Sequence, residues 1–197
     1  MSSPLSEDTA QPRSSRAPLW ILITLCVAPI VASYLAYYWW PPAGQVNYGE
    51  LIEPRALPDV EVRRLDGSSF RWRELSGKWA LTVIDSGRCN AWCQEKLVYI
   101  RQVRLAQGRD ADRLERVWLV SDHETPDRAL LAAHEGLMVL RAADSDLVSM
   151  FPATHSRADH IYVVDPLGNA MMRYPRDADP RRMLKDVARL LRHSKWR

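Results

Sequence analysis

The 197-residue sequence predicts a mixed α/β domain held behind one membrane-spanning helix. Three observations point there: an uncharged apolar run over 19–40, strand-like and helix-like apolar segments that alternate from 59 onward, and two cysteines, Cys89 and Cys93, at a strand-to-helix junction. The length suits one domain plus an anchor rather than two domains. With 47% hydrophobic residues a core can be buried, which excludes a wholly disordered chain. A net charge of +3 is too small for the basic stripe of a nucleic-acid binder, so no nucleic-acid partner is expected. Three cysteines are too few for a disulfide scaffold, and a pair plus one outlier fits a redox or metal site better.

The run 19–40 reads LWILITLCVAPIVASYLAYYWW, roughly 22 residues without a charge. That is the length a helix needs to cross a hydrocarbon core of about 30 Å. Trp20 stands at one end and Tyr37, Tyr38, Trp39 and Trp40 at the other, where amphipathic rings favour the headgroup level. Pro41-Pro42 is the expected stop, and the internal Pro29 is tolerated better in membrane helices than in soluble ones. Arg13 and Arg16 precede the run, and no Lys or Arg follows before Arg55. The positive-inside rule therefore keeps the N-terminus in the cytoplasm and exports the rest. A cleaved signal peptide would need a shorter apolar core and a small-residue cleavage site, whereas this run ends in bulky aromatics. Cys26, within the run, reads as an inert thiol. The expected organisation is a cytoplasmic tail over 1–17, a transmembrane helix over 18–40, a Pro- and Gly-containing spacer over 41–56 and a folded domain over 57–197.

Within the exported part, 59–62, the turn Asp66-Gly67 and 70–72 read as a hairpin. The continuous apolar run 79–84 suits a central strand covered on both faces. From Cys93 to Leu105 the spacing is helical, with Leu97, Ile100, Val103 and Leu105 as the inward set. A second buried strand is expected over 117–120. Thr125 and Pro126 have the residue types of a helix N-cap and first helical position. The strands 160–164 and 170–174 flank the turn Asp165-Pro166-Leu167-Gly168, and a last helix runs from Asp179-Pro180 to about Arg192. This order implies a mixed sheet with helices on both faces.

Cys89 and Cys93 lie in SGRCNAWCQEK, directly after a predicted buried strand and at the mouth of the following helix. The partial positive charge and open N–H groups of a helix N-terminus favour thiolate over thiol. Arg88 and Lys96 add cationic neighbours. Thiolate is both the nucleophile of disulfide exchange and the metal-binding form. Residues four apart share one helix face, with Cα atoms about 6 Å apart, near the upper end of what a disulfide accepts. Cys89, at the mouth, is the more exposed thiol on this reading and the attacking one. The plainer alternative is two buried structural thiols or a loop crosslink.

At these residues the sequence resembles the Sco/SenC family, membrane-anchored proteins of thioredoxin-like fold involved in assembling the copper centre of cytochrome c oxidase. The matching order is the anchor, Gly77-Lys78-Trp79, the pair Cys89 and Cys93, Val120-Ser121-Asp122 with Glu124-Thr125-Pro126, and Asp159-His160 ahead of Tyr162-Val163-Val164-Asp165-Pro166-Leu167-Gly168. The resemblance covers roughly 57–192 as segments in order. It implies a thioredoxin-like domain whose cysteines cycle between dithiol and disulfide and, with one histidine, bind copper as Cu(I) or Cu(II). On that implication Cys89 and Cys93 are the redox pair, and Cys89, Cys93 and His160 are the metal ligands. It further implies a cytochrome c oxidase subunit, or another exported thiol protein, as partner. The anchor then sits in a bacterial inner membrane with the domain periplasmic. Two departures stand out: Asn90 replaces the family proline after the first cysteine, and His160 stands closer to the Asp-Pro turn than the family histidine, near whose place lie Arg157 and His155.

Two thiolates with one imidazole select a soft ion such as Cu(I), whereas zinc would want a fourth ligand. His155 is the second-choice ligand, and His123, His134 and His193 read as surface residues. Met171 and Met172, adjacent on a strand, point to opposite faces and read as packing. Three functions follow: a copper-handling assembly factor, a thiol–disulfide oxidoreductase acting on exported partners, and a non-catalytic scaffold.

Overall fold

The computed structural model describes residues 16–39 and 47–194, and the chain divides into two units at Gln45 and Val46. In the first unit, helix α1 (Ala17–Trp39) has 23 residues and a mean hydropathy of 2.2, long and apolar enough to cross a membrane. Pro29 lies inside it, and Cys26 is exposed on it. The expected stop at Pro41-Pro42 and the start of the spacer lie outside the described residues.

The second unit is built on one eight-stranded mixed sheet. Its strands are β1 (Glu50–Ala56), β2 (Glu61–Arg64), β3 (Ser69–Arg71), β4 (Trp79–Asp85), β5 (Leu114–Val120), β6 (Met138–Arg141), β7 (Ile161–Val164) and β8 (Asn169–Tyr174). They lie in the order β1-β8-β7-β4-β5-β6-β2-β3. β4–β5 and β5–β6 pair in parallel, and every other pair is antiparallel. The helices are α2 (Ala91–Leu105), α3 (Arg128–Ala133) and α4 (Pro180–His193).

The alternation of β4 separates two cores. Leu81 and Val83 face α2 and α4, together with Cys89, Cys93, Leu97, Ile100, Trp118, Met183 and Val187. Ala80 and Ile84 face the other side, with Phe70, Trp72, Leu119, Phe151 and Tyr162. The mixed sheet flanked by helices is as the sequence predicts, but the helices do not cover both faces. Leu130 and Leu131 of α3 also join the α2–α4 side. The opposite face is closed by the 3-10 turns Trp72–Leu75 and Asp146–Met150.

Four further expectations need correction. Residues 50–56, read as the end of the spacer, form β1 along β8, and the Tyr48 and Gly49 amides each donate to Asp186 Oδ2 at 2.8 Å. Every β1 residue but one is exposed, so its sequence carries no alternation to betray a strand. β6, four residues long, is not anticipated either. Helix α3 is capped by Asp127, not Thr125; the Asp127 side chain accepts from the Ala129 amide. Leu105, expected inward, is 62% exposed because, as the last residue of α2, it lies off the buried stripe of Cys93, Lys96, Leu97, Ile100 and Val103.

Candidate functional site

β4 delivers the chain at Asp85 into the loop Ser86, Gly87, Arg88, Cys89, after which α2 begins. The loop is braced from the segment after β5. The Gly87 amide donates to Asp122 Oδ1 at 2.9 Å, and the Arg88 guanidinium pairs with Glu124 at 2.8 Å. Gly87 packs so closely that a Cβ there would lie 2.2 Å from the Glu124 carbonyl oxygen. Cys89 follows with φ of 41°, a left-handed conformation that a non-glycine residue adopts only when its surroundings hold it. Its amide donates to the Ser86 carbonyl at 3.1 Å, and the Cys89 carbonyl accepts from Gln94 Nε2 at 3.1 Å.

Asn90 is the N-cap of α2, its side chain accepting from the Cys93 amide at 3.0 Å. This turns the chain so that Cys89, outside the helix, meets Cys93 in its first turn. The two form a disulfide with Cα atoms 5.0 Å apart. The expected pairing is there, but by a different geometry: the sulfurs bridge the helix mouth and do not share a helix face. The expectation of an exposed Cys89 is also overturned, since Cys89 is 1% exposed and Cys93 0%.

One turn along α2 from Cys93 lies a feature that the sequence only half reveals. Lys96, one turn after Cys93, is fully enclosed, and its Nζ donates to Asp85 Oδ2 at 2.7 Å. Burial pushes the Lys96 ammonium pKa down, and the Asp85 carboxylate opposes that shift. Lys96 Nζ and Trp92 Nε1 both donate to the Ala158 carbonyl. Two α2 side chains thus hold the turn Arg157–Asp159 that leads into His160. The signal was present in the sequence: position 96 falls on the apolar stripe of Cys93, Leu97, Ile100 and Val103.

His160 precedes β7, with Nδ1 2.9 Å from the Tyr174 carbonyl oxygen and its ring 5.8 Å from that of Tyr162. Burial pushes the Tyr162 hydroxyl up to about 12, and it donates to the Pro152 carbonyl at 2.9 Å. His155 and His123 are exposed. His134, expected at the surface, is 5% exposed, so that reading is corrected.

The sulfur pair is a soft donor set once reduced. Among the described residues, however, no group of three or more His, Cys, Asp and Glu side chains is placed to hold a metal ion. In the disulfide form the residues present therefore do not fit copper.

A strand–loop–helix with a cysteine pair at the helix mouth, on a mixed sheet, defines a thioredoxin-like protein. Residues 79–194 match the family described as transmembrane-like, thioredoxin-like, C-terminal domain, and the chain belongs to that family. In structure it is similar to yeast Sco1 with copper bound, with 14% identity, a TM-score of 0.63, and coverage of 74% of this chain and 100% of the other. It is similar also to Arabidopsis thaliana ScoI with copper bound, at 15% identity and TM-score 0.56, covering 75% and 99%. A thiol:disulfide interchange protein from Bacteroides sp. gives 17% and 0.55, covering 74% and 93%. The Sco/SenC resemblance is thus met in the fold. No curated protein matches the chain in sequence.

Proposed function

We propose that the chain is a membrane-tethered, Sco/SenC-type thiol redox protein whose Cys89–Cys93 pair alternates between disulfide and dithiol. α1 anchors it in a bacterial inner membrane with the domain periplasmic, and it serves a cytochrome c oxidase subunit or another exported thiol protein. The observation that carries this reading is the disulfide across the mouth of α2. The reaction is exchange with a dithiol. One partner thiolate bonds to one sulfur of the pair and the other sulfur leaves with the bonding electrons as a thiolate; the second partner thiolate then attacks the partner's sulfur in the mixed disulfide, forming the partner disulfide and expelling the remaining sulfur of the pair as a thiolate. The partner ends oxidised and the chain reduced, or the reverse. The test is equilibration of the full chain in detergent with graded glutathione redox buffers, followed by thiol trapping. A reversible two-electron transition, absent from Cys89→Ser and Cys93→Ser, is expected. A disulfide that stays intact in strongly reducing buffer would mark a structural crosslink.

A second reading is favoured by the relatives with copper bound and by the imidazole at His160. In it the dithiol form takes Cu(I) through Cys89, Cys93 and His160, as an oxidase assembly factor would.

A further inference from the structure

The Asp85–Lys96 pair has no part in the exchange chemistry described above, yet it is buried one helical turn from Cys93 and at the end of the strand that leads into the cysteine loop. Lys96 is 0% and Asp85 5% exposed, and they meet at 2.7 Å. Desolvating two charges costs several kcal/mol each, and a close pair often does no better than apolar residues of the same volume. Stability alone is therefore a weak reason for a lysine on the inner stripe of α2.

We infer that the pair sets the midpoint potential of the Cys89–Cys93 couple, Lys96 favouring the dithiol and Asp85 the disulfide. The inference rests on the thiol redox reading above. Residues three apart on a helix have Cβ atoms about 5–6 Å apart, which places Lys96 beside Cys93 on one buried face. In the disulfide neither sulfur carries charge. On reduction the departing sulfur becomes electron-rich, so an adjacent cation stabilises that side of the equilibrium and an adjacent carboxylate destabilises it. The other charges acting on Lys96 are Asp159 and Arg176, which stand 3.6 Å from each other. They act on Lys96 in opposite directions.

The test repeats the glutathione equilibration on the full chain with two near-isosteric variants, Asp85→Asn and Lys96→Gln. Asp85→Asn, which leaves the ammonium uncompensated, is expected to move the equilibrium toward dithiol. Lys96→Gln is expected to move it toward disulfide. A shift of about tenfold either way is the scale of a charge interaction over several ångströms at the effective dielectric of a protein. A purely structural pair would lower the melting temperature of both variants without displacing their potentials in opposite directions. Shifts of the same sign, or none in folded variants, overturn the inference. If one variant does not fold, the sign of the other decides. A wild-type chain with no reversible couple is a different failure, that of the redox reading, and it shows before any variant is made.

Discussion

His160 Nδ1 lies 2.9 Å from the carbonyl oxygen of Tyr174. A carbonyl only accepts, so in the neutral ring Nδ1 carries the proton and Nε2 the lone pair. Metal-binding histidines use this arrangement, one nitrogen donating to a carbonyl and the other free for the ion. β8 thus fixes the tautomer that the copper reading requires, although His160 is not grouped with the disulfide-bonded cysteines.

The copper reading predicts that reduction converts the site into a Cu(I) chelate. The reduced full chain is expected to compete with a Cu(I) chelator, and Cys89→Ser or Cys93→Ser to abolish that competition. His160→Ala should weaken binding roughly tenfold, the scale on which even outer-shell losses act. His155→Ala should leave it unchanged, since His155 is exposed. Full competition by His160→Ala would remove the histidine from the ligand set. Failure of the unaltered reduced chain would remove copper altogether.

The loop that presents Cys89 has no room to spare. Gly87→Ala would place its Cβ 2.2 Å from the Glu124 carbonyl oxygen and 2.6 Å from its carbon, both backbone atoms. Relieving that clash pushes the loop off the segment after β5 and strains the left-handed Cys89. Overpacking of this kind costs about 1–3 kcal/mol, which a urea midpoint measures directly. A variant as stable as the unaltered chain would show that the 86–89 loop is not clamped against 122–124.

The central architecture was legible because burial leaves a strong pattern. Continuous apolar runs mark β4 and β5, and the helical stripe of α2 contains Cys93. The edge strand β1 has no such pattern, since a strand pairing on one side and exposed along its length needs no apolar face. The cysteine pair was legible as a motif, but its geometry depends on Asn90. Its side chain caps α2 at the place where the resembling family has proline, so Cys89 sits outside the helix. Lys96 reads as a charge near the cysteines, although its place on the apolar stripe of α2 marks it for burial. Its partner is Asp85, eleven residues earlier, and no local periodicity links the two.

His134 gives the domain a pH dependence of definite sign. It is 5% exposed, and its Nδ1 has no hydrogen-bond partner among the described residues. Burial, with Arg101 and Arg116 nearby, holds its pKa below the ordinary histidine value. In the unfolded chain the imidazole takes its proton near pH 6.5. Between that value and the lower folded one, the unfolded state binds more protons. Stability therefore falls as the pH drops through that window and levels off below it. The lowered carboxylates Glu50, Asp66, Glu74 and Asp122 titrate in the acid range and leave this window to histidine. His134→Leu removes both the titration and an unpartnered buried nitrogen. It is expected to hold the urea midpoint nearly level from about pH 7 to about pH 5.5, where the unaltered chain declines. Parallel declines in the two proteins would assign the effect to another group.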